Sequence, residues 1–143
     1  MPSSTAARVA CSASSTRAFF SFISASVAAP TAKTDPLFGG FPSPETVFHW
    51  HGETFDLPEG AQLLAYSDAC RRQAFRIAGN VYGLQFHLEV TPEMIQDWCR
   101  HDETCGAARE MEAPIDPHAN TSRLAEVAAT VFDRWCGLFD TRA

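Results

Sequence analysis

The chain has 143 residues, of which 45% are hydrophobic, 20% charged and 11% aromatic, the make-up of an ordinary globular domain rather than of a disordered, fibrous or membrane chain. Eleven Lys and Arg against 17 Asp and Glu leave a net charge of −6, which argues against non-specific binding to nucleic acid or to an anionic membrane. Five cysteines, an odd number without paired spacing, argue against a secreted disulfide framework and for a reducing, cytoplasmic setting.

Residues 1–33 differ from the rest. They are rich in Ser and Ala, carry Arg8, Arg17 and Lys33, and contain no acid before Asp35. A transit peptide fits that composition, and a secretory signal fits the run from Ala18 to Ile23, although serines dilute its apolar centre. A third reading is that the segment is not native to the domain that follows, through a wrong start or a shifted reading frame. No stretch of the chain is long enough for a transmembrane span.

From Asp35 to Pro44, Pro and Gly punctuate a loop. Thr46 to His51 predicts a strand, and Gly52, Asp56, Pro58 and Gly60 mark turns. Gln62 to Ser67 predicts a second strand, followed by a short polar connection over 68–72. Gln73 to Ile77 and Asn80 to Phe86 predict two strands joined at Ala78-Gly79-Asn80, a hairpin in which Gly and Asn tolerate positive φ. Phe75, Ile77, Val81, Leu84 and Phe86 are core candidates.

A helix then begins, with Thr91 as cap, Pro92 at its first position and Glu93 in its first turn, where an acid complements the helix dipole. Met94, Ile95 and Trp98 give that helix a buried stripe. The polar stretch from His101 to His118, with Gly106, Pro114 and Pro117, reads as a linker containing a short helical piece near Ala107 to Met111. Asn120, Thr121 and Ser122 offer caps for a last helix, whose Leu124, Val127, Ala128, Val131, Phe132 and Trp135 recur at helical spacing and read as core. There are no internal repeats and no Gly-rich phosphate loop.

Chemistry concentrates where the predicted strand meets the first helix, in Tyr82-Gly83-Leu84-Gln85-Phe86-His87-Leu88-Glu89-Val90-Thr91-Pro92-Glu93. Side chains two apart share a face of a strand, so His87 and Glu89 point to one side. A carboxylate bonded to one ring nitrogen fixes the tautomer and supports the imidazolium that forms when the other nitrogen takes a proton. That is the arrangement of a general base with its orienting acid. An isolated H-x-E triplet more often means a satisfied histidine followed by a helix-start charge, so the surroundings must decide. Cys99 with His101 and Cys105, or His49 with His51, lack the repeated short spacing of a zinc site and read as non-metal, His49 and His51 sharing a strand face at most. No cofactor is implied.

The surroundings do decide. Thr34-Asp35-Pro36-Leu37-Phe38, then Val47 to Pro58 with His49-Trp50-His51-Gly52-Glu53, then Gln73-Ala74-Phe75-Arg76, then Gly83 to Glu89, resemble the C-terminal part of a class I, triad-type glutamine amidotransferase domain. The likeness is nearest to stand-alone members similar to the glutaminase domain of GMP synthase, and it covers about residues 34–100. It implies an α/β fold, a three-layer, mostly parallel flavodoxin-like sheet with helices on both faces, in which residues 34–143 form the latter part. It also implies a cysteine that attacks the side-chain amide of glutamine, with His87 as its base and Glu89 as the orienting acid. Family members commonly place proline between those two residues, where this chain has Leu88.

The family nucleophile sits in a glycine-flanked turn, G-x-C-x-G, whose strained elbow exposes the sulfur and frees backbone N–H groups for an oxyanion. No cysteine of the chain is so placed. Cys11 lacks the glycines, and Cys70, Cys99, Cys105 and Cys136 come in the wrong order. The nucleophile is therefore unassigned, and the nucleophile half is expected to be absent, which favours the third reading of residues 1–33. The resemblance then implies a domain releasing ammonia from glutamine that is inactive alone and works beside a synthetase or other acceptor domain. Two alternatives stand: a non-catalytic binding or regulatory remnant of the fold, and a γ-glutamyl peptidase, since the same triad cuts γ-glutamyl amides.

Overall fold

The computed structural model describes residues 19–25, 30–51, 53–68, 70–101 and 115–139. β1 (Phe19–Ala25) and β2 (Glu45–His51) pair antiparallel, with Phe19 opposite His51 and Ala25 opposite Glu45. β1 lies inside the stretch that composition set apart. β3 (Gln62–Ala65), β4 (Ala74–Ile77) and β5 (Val81–Leu84) form a second sheet in that order, again antiparallel. Among the described residues two α-helices follow, α1 (Pro92–His101) and α2 (Thr121–Gly137).

Every strand pairing among the described residues is thus antiparallel, where the sequence reading expected a mostly parallel sheet. For β3 to β5 the reason is chain length. A parallel pair needs a crossover of a dozen or more residues, and the connections here are shorter than that. The hairpin between β4 and β5 forms where expected, but its positive φ values fall on Ala78 (53°) and Gly79 (85°) rather than on Asn80. Gly83 stands opposite Phe75 in this hairpin, and a Cβ there would meet the Phe75 ring at 2.2 Å. The missing side chain is what lets the ring lie across the strand.

One buried cluster joins the layers. Phe48 of β2, Leu64 of β3, Ile95 of α1 and Leu124, Val127 and Val131 of α2 are all buried in it. The two sheets meet where the His87 N–H donates to the Phe48 carbonyl at 2.8 Å.

Polar staples hold the periphery to this core. Asp35 is buried and accepts from the N–H groups of Leu37 and Phe38 at 2.9 and 3.1 Å, from Arg76 at 3.1 Å and from the Tyr82 hydroxyl at 3.4 Å. A buried carboxylate is tolerated only when it is bonded in this way. Arg134 of α2 donates to the carbonyls of Leu37 and Gly39 at 2.7 and 2.8 Å. Arg123 grips Glu45 at the start of β2 with two donors, its Nε at 3.1 Å from Oε1 and its Nη2 on Oε2.

Parts of the helix reading needed correction. Asn120 makes no side-chain capping bond; instead the Thr121 hydroxyl donates back to the His118 carbonyl at 3.2 Å. Met94 on α1 is exposed, as are Phe132 and Trp135 on α2. The α2 stripe is wider than the core it faces, so its Leu124–Val127–Val131 edge is buried and its other edge is not. The helical piece expected near Ala107 to Met111 lies outside the described residues. No helix among the described residues is long and apolar enough to cross a membrane.

Candidate functional site

The path of the chain after β5 is fixed from both sides. Gln85 N–H donates to the Gln73 carbonyl at 2.7 Å, and His87 N–H to Phe48 as above. Four residues later the Thr91 hydroxyl accepts from the Met94 N–H at 3.3 Å, and the Thr91 carbonyl accepts from Ile95 at 3.0 Å. These bonds start α1 as a capping Thr followed by Pro predicts. Residues 87–91 are therefore a short strap between a sheet and a capped helix.

On that strap His87 Nδ1 lies 2.7 Å from Glu89 Oε1, and Glu89 Oε2 accepts from the Leu88 N–H at 3.0 Å. A carboxylate only accepts, so the bond assigns a proton to Nδ1 and leaves the lone pair of the neutral ring on Nε2. Burial alone would raise the Glu89 pKa; the His87 hydrogen bond and the backbone N–H groups of Glu89 and Leu88 outweigh it and hold the carboxyl below its usual range. Glu89 is therefore ionised at neutral pH. The side chains of His87 and Glu89 are 29% and 51% exposed, which leaves the imidazole reachable from solvent. The geometry can hold a base in one tautomer, charge-compensated and accessible.

Aromatic rings wall the imidazole. Trp98 meets it edge to face with centroids 5.2 Å apart, and Phe48 lies at 6.3 Å. Trp50 in turn stacks on Phe48 at 6.1 Å and contacts Trp98 at 5.8 Å.

Phe48 pairs with His87, so the next residue of β2, His49, points to the opposite side of the strand. There it forms a hydrogen-bonded chain. His51 Nδ1 lies 2.9 Å from the Glu53 carbonyl, which can only accept, so His51 donates from Nδ1 and accepts at Nε2. His49 Nδ1, 3.1 Å away, is then the donor to that Nε2. Burial, then the nearby His51 and His87, push the His49 pKa down to about 4. His51 is lowered too, mainly by burial and partly by His87, against the opposing pull of the Glu53 carbonyl. His49 Nε2 ends the chain as a buried atom without a hydrogen-bond partner.

The remaining candidates do not join this site. Cys70 is buried, its N–H bonded to the Ser67 hydroxyl at 3.1 Å and its thiol to the Arg72 carbonyl at 3.5 Å. Cys99 is on α1, Cys136 is exposed on α2, and Cys11 and Cys105 lie outside the described residues. Among the described residues no three His, Cys, Asp or Glu side chains come together as metal ligands. Sequence reasoning singled out His87 and Glu89 but passed over Trp98 as core stripe and treated His49 and His51 as sharing a face at most. The signal for Trp98 was its place seven residues after the cap, two turns along the same side of a helix tied to the strap.

The fold is α/β of the flavodoxin-like type, with an imidazole and a carboxylate paired where a strand passes into a helix. The family model of class-I glutamine amidotransferases matches residues 21–100, and the chain belongs to that family. It is 40% identical over 68 residues to the glutamine amidotransferase-like protein YfeJ of Salmonella typhimurium, a match spanning 48% of this chain and 28% of YfeJ. It is 39% identical over 61 residues to a glutamine-hydrolysing GMP synthase of Staphylococcus epidermidis, spanning 41% of this chain and 12% of that protein. The crystal structure of a glutamine amidotransferase from Methylobacillus flagellatus superposes with a TM-score of 0.68 at 26% identity, covering 84% of this chain and 52% of that one. The chain thus spans about half of a solved relative and shorter shares of the curated ones.

Proposed function

We propose that this chain carries the base and the orienting acid of a glutamine-hydrolysing site, His87 and Glu89, and that the cysteine they serve comes from outside residues 1–143. The single observation behind this reading is the 2.7 Å bond between His87 Nδ1 and Glu89 Oε1, which in the neutral ring leaves Nε2 as the nitrogen that carries the lone pair. In this reading His87 Nε2 takes the thiol proton, and the thiolate sulfur bonds to the side-chain amide carbon of glutamine. The C–N bond then breaks as His87 returns the proton to the departing nitrogen, which leaves as ammonia. Water hydrolyses the resulting thioester to glutamate and restores the thiol. Glu89 stays ionised throughout and balances the transient imidazolium. A synthetase or other acceptor domain takes the ammonia, and the setting is cytoplasmic.

The test is covalent labelling with an electrophilic glutamine analogue, read by intact mass. The chain alone should remain unlabelled. Mixed with a polypeptide bearing the G-x-C-x-G half of a related amidotransferase domain, it should promote labelling of that cysteine, and His87→Ala should reduce the rate by at least about a hundredfold, the scale of general-base assistance. Labelling of one of this chain's own cysteines would overturn the external nucleophile. Stable association without promoted labelling would favour the second reading, a non-catalytic remnant that keeps the fold, for which the lack of a G-x-C-x-G pattern speaks.

A further inference from the structure

We propose that Trp98 is a positioning residue for His87, the second jaw of an aromatic clamp that holds the imidazole in the orientation its bond to Glu89 requires. The inference rests on the reading of His87 as a base, and it assigns a job to a residue that touches neither the substrate nor the reacting atoms. Three features carry it.

The first is what the His87–Glu89 bond leaves free. A hydrogen bond at Nδ1 fixes one point of the ring, and the partner carboxylate is itself 51% exposed, so water competes for it. That competition leaves the bond alone a loose restraint on the direction of Nε2. The ring also needs contacts along its faces and edges.

The second is that the two flanking rings approach from different elements. Phe48 is fully buried in β2 and is tied to His87 through the backbone bond at 2.8 Å, with its ring 6.3 Å from the imidazole at 54°. Trp98 comes from α1, 5.2 Å from the imidazole at 70°. The sheet supplies one jaw and the helix the other. A tilted ring pair at this spacing is a favourable geometry for aromatic side chains.

The third is that Trp98 is itself immobilised. It is partly buried against the core and lies between Phe48 at 6.3 Å and Trp50 at 5.8 Å. Its helix is capped by Thr91, two residues after Glu89, so strap and jaw are joined by a short stretch of chain. Displacing α1 by one residue would carry Trp98 about 100° around the helix axis and away from the imidazole.

The experiment reads the imidazole directly, by nitrogen-15 NMR of the isolated chain, so it does not depend on turnover. In the native protein the His87 Nδ1–H proton should appear as a downfield resonance, lost in His87→Ala and in Glu89→Ala. Trp98→Leu, which keeps apolar bulk without the ring, should speed solvent exchange of that proton at least tenfold and shift the ring nitrogens toward a mixture of tautomers; Trp98→Phe should restore most of the signal. Ile95→Val, which loosens the same helix in the core, is the control. Equal acceleration in Ile95→Val and Trp98→Leu, or an unchanged proton in Trp98→Leu, would overturn the clamp. If Trp98→Leu does not fold, Trp98→Met decides on the same readout. A silent clamp with promoted labelling intact would leave His87 as the base, while a working clamp with no labelling would remove the catalytic reading alone.

Discussion

At the level of single residues, the histidines of β2 tie stability to pH. An unfolded chain binds a proton at His49 near 6.5, whereas in the fold that imidazole stays neutral to about 4. Between those values the unfolded state holds more protons, so stability falls as pH falls, by at most about 1.4 kcal/mol per pH unit for one group. His51, also lowered, acts in the same direction. His49→Phe keeps a ring beside Phe86 and removes the titration. Denaturant unfolding measured from pH 7 down to about 5.5, above the range where carboxylates join in, should give a shallower pH dependence in His49→Phe than in the native chain; identical slopes would show that the proton goes elsewhere. The pair His87 and Glu89 was legible because its two members are two residues apart, and their bond is local even though they lie on the strap beyond β5 rather than on a strand. The His49–His51 chain was half legible. Alternation gave the shared face, but only the fold shows the Glu53 carbonyl that sets the direction of every donor in it.

At the level of elements, turn and cap chemistry forecast most of the boundaries, because those choices are made by residues next to one another. Thr91-Pro92 started α1 where expected, and the run of β-branched and aromatic residues gave β2. The hairpin between β4 and β5 was placed correctly for an incomplete reason, since Ala78 carries a positive φ of 53° that disfavours any residue with a Cβ. Ala78→Gly should therefore raise stability by about 1 kcal/mol, the left-handed penalty less the entropy that glycine adds to the unfolded chain. A thermal midpoint that falls in that variant would mean that the alanine methyl makes packing worth more than the strain.

At the level of the whole molecule, what joins the elements was not legible. Arg134 reaches carbonyls 95 and 97 residues earlier, and Arg123 reaches Glu45 across 78 residues. Neither pairing has a local pattern to announce it. An apolar face lies open between β5 and the end of α2. There Leu37, Val81, Leu84, Phe132, Trp135 and Phe139 border a groove of about 460 Å³, and Val81, Phe132, Trp135 and Phe139 are exposed. Contiguous carbon surface of this kind binds hydrophobic dyes and promotes association. The double substitution Trp135→Glu with Phe139→Glu should cut the fluorescence of a bound naphthalene-sulfonate dye by more than half while moving the thermal midpoint by only a few degrees. Unchanged dye binding would place the open surface elsewhere.

The strap from His87 to Thr91 has an implication for descent. His87 and Glu89, proposed above as base and orienting acid, are encoded within nine nucleotides, and the Thr91 cap follows within six more. A recombination break almost anywhere else in a gene would pass them on together. In the proposed reading, a nucleophile brought to them by folding has no such linkage, so it is the member that a lineage can lose or borrow on its own.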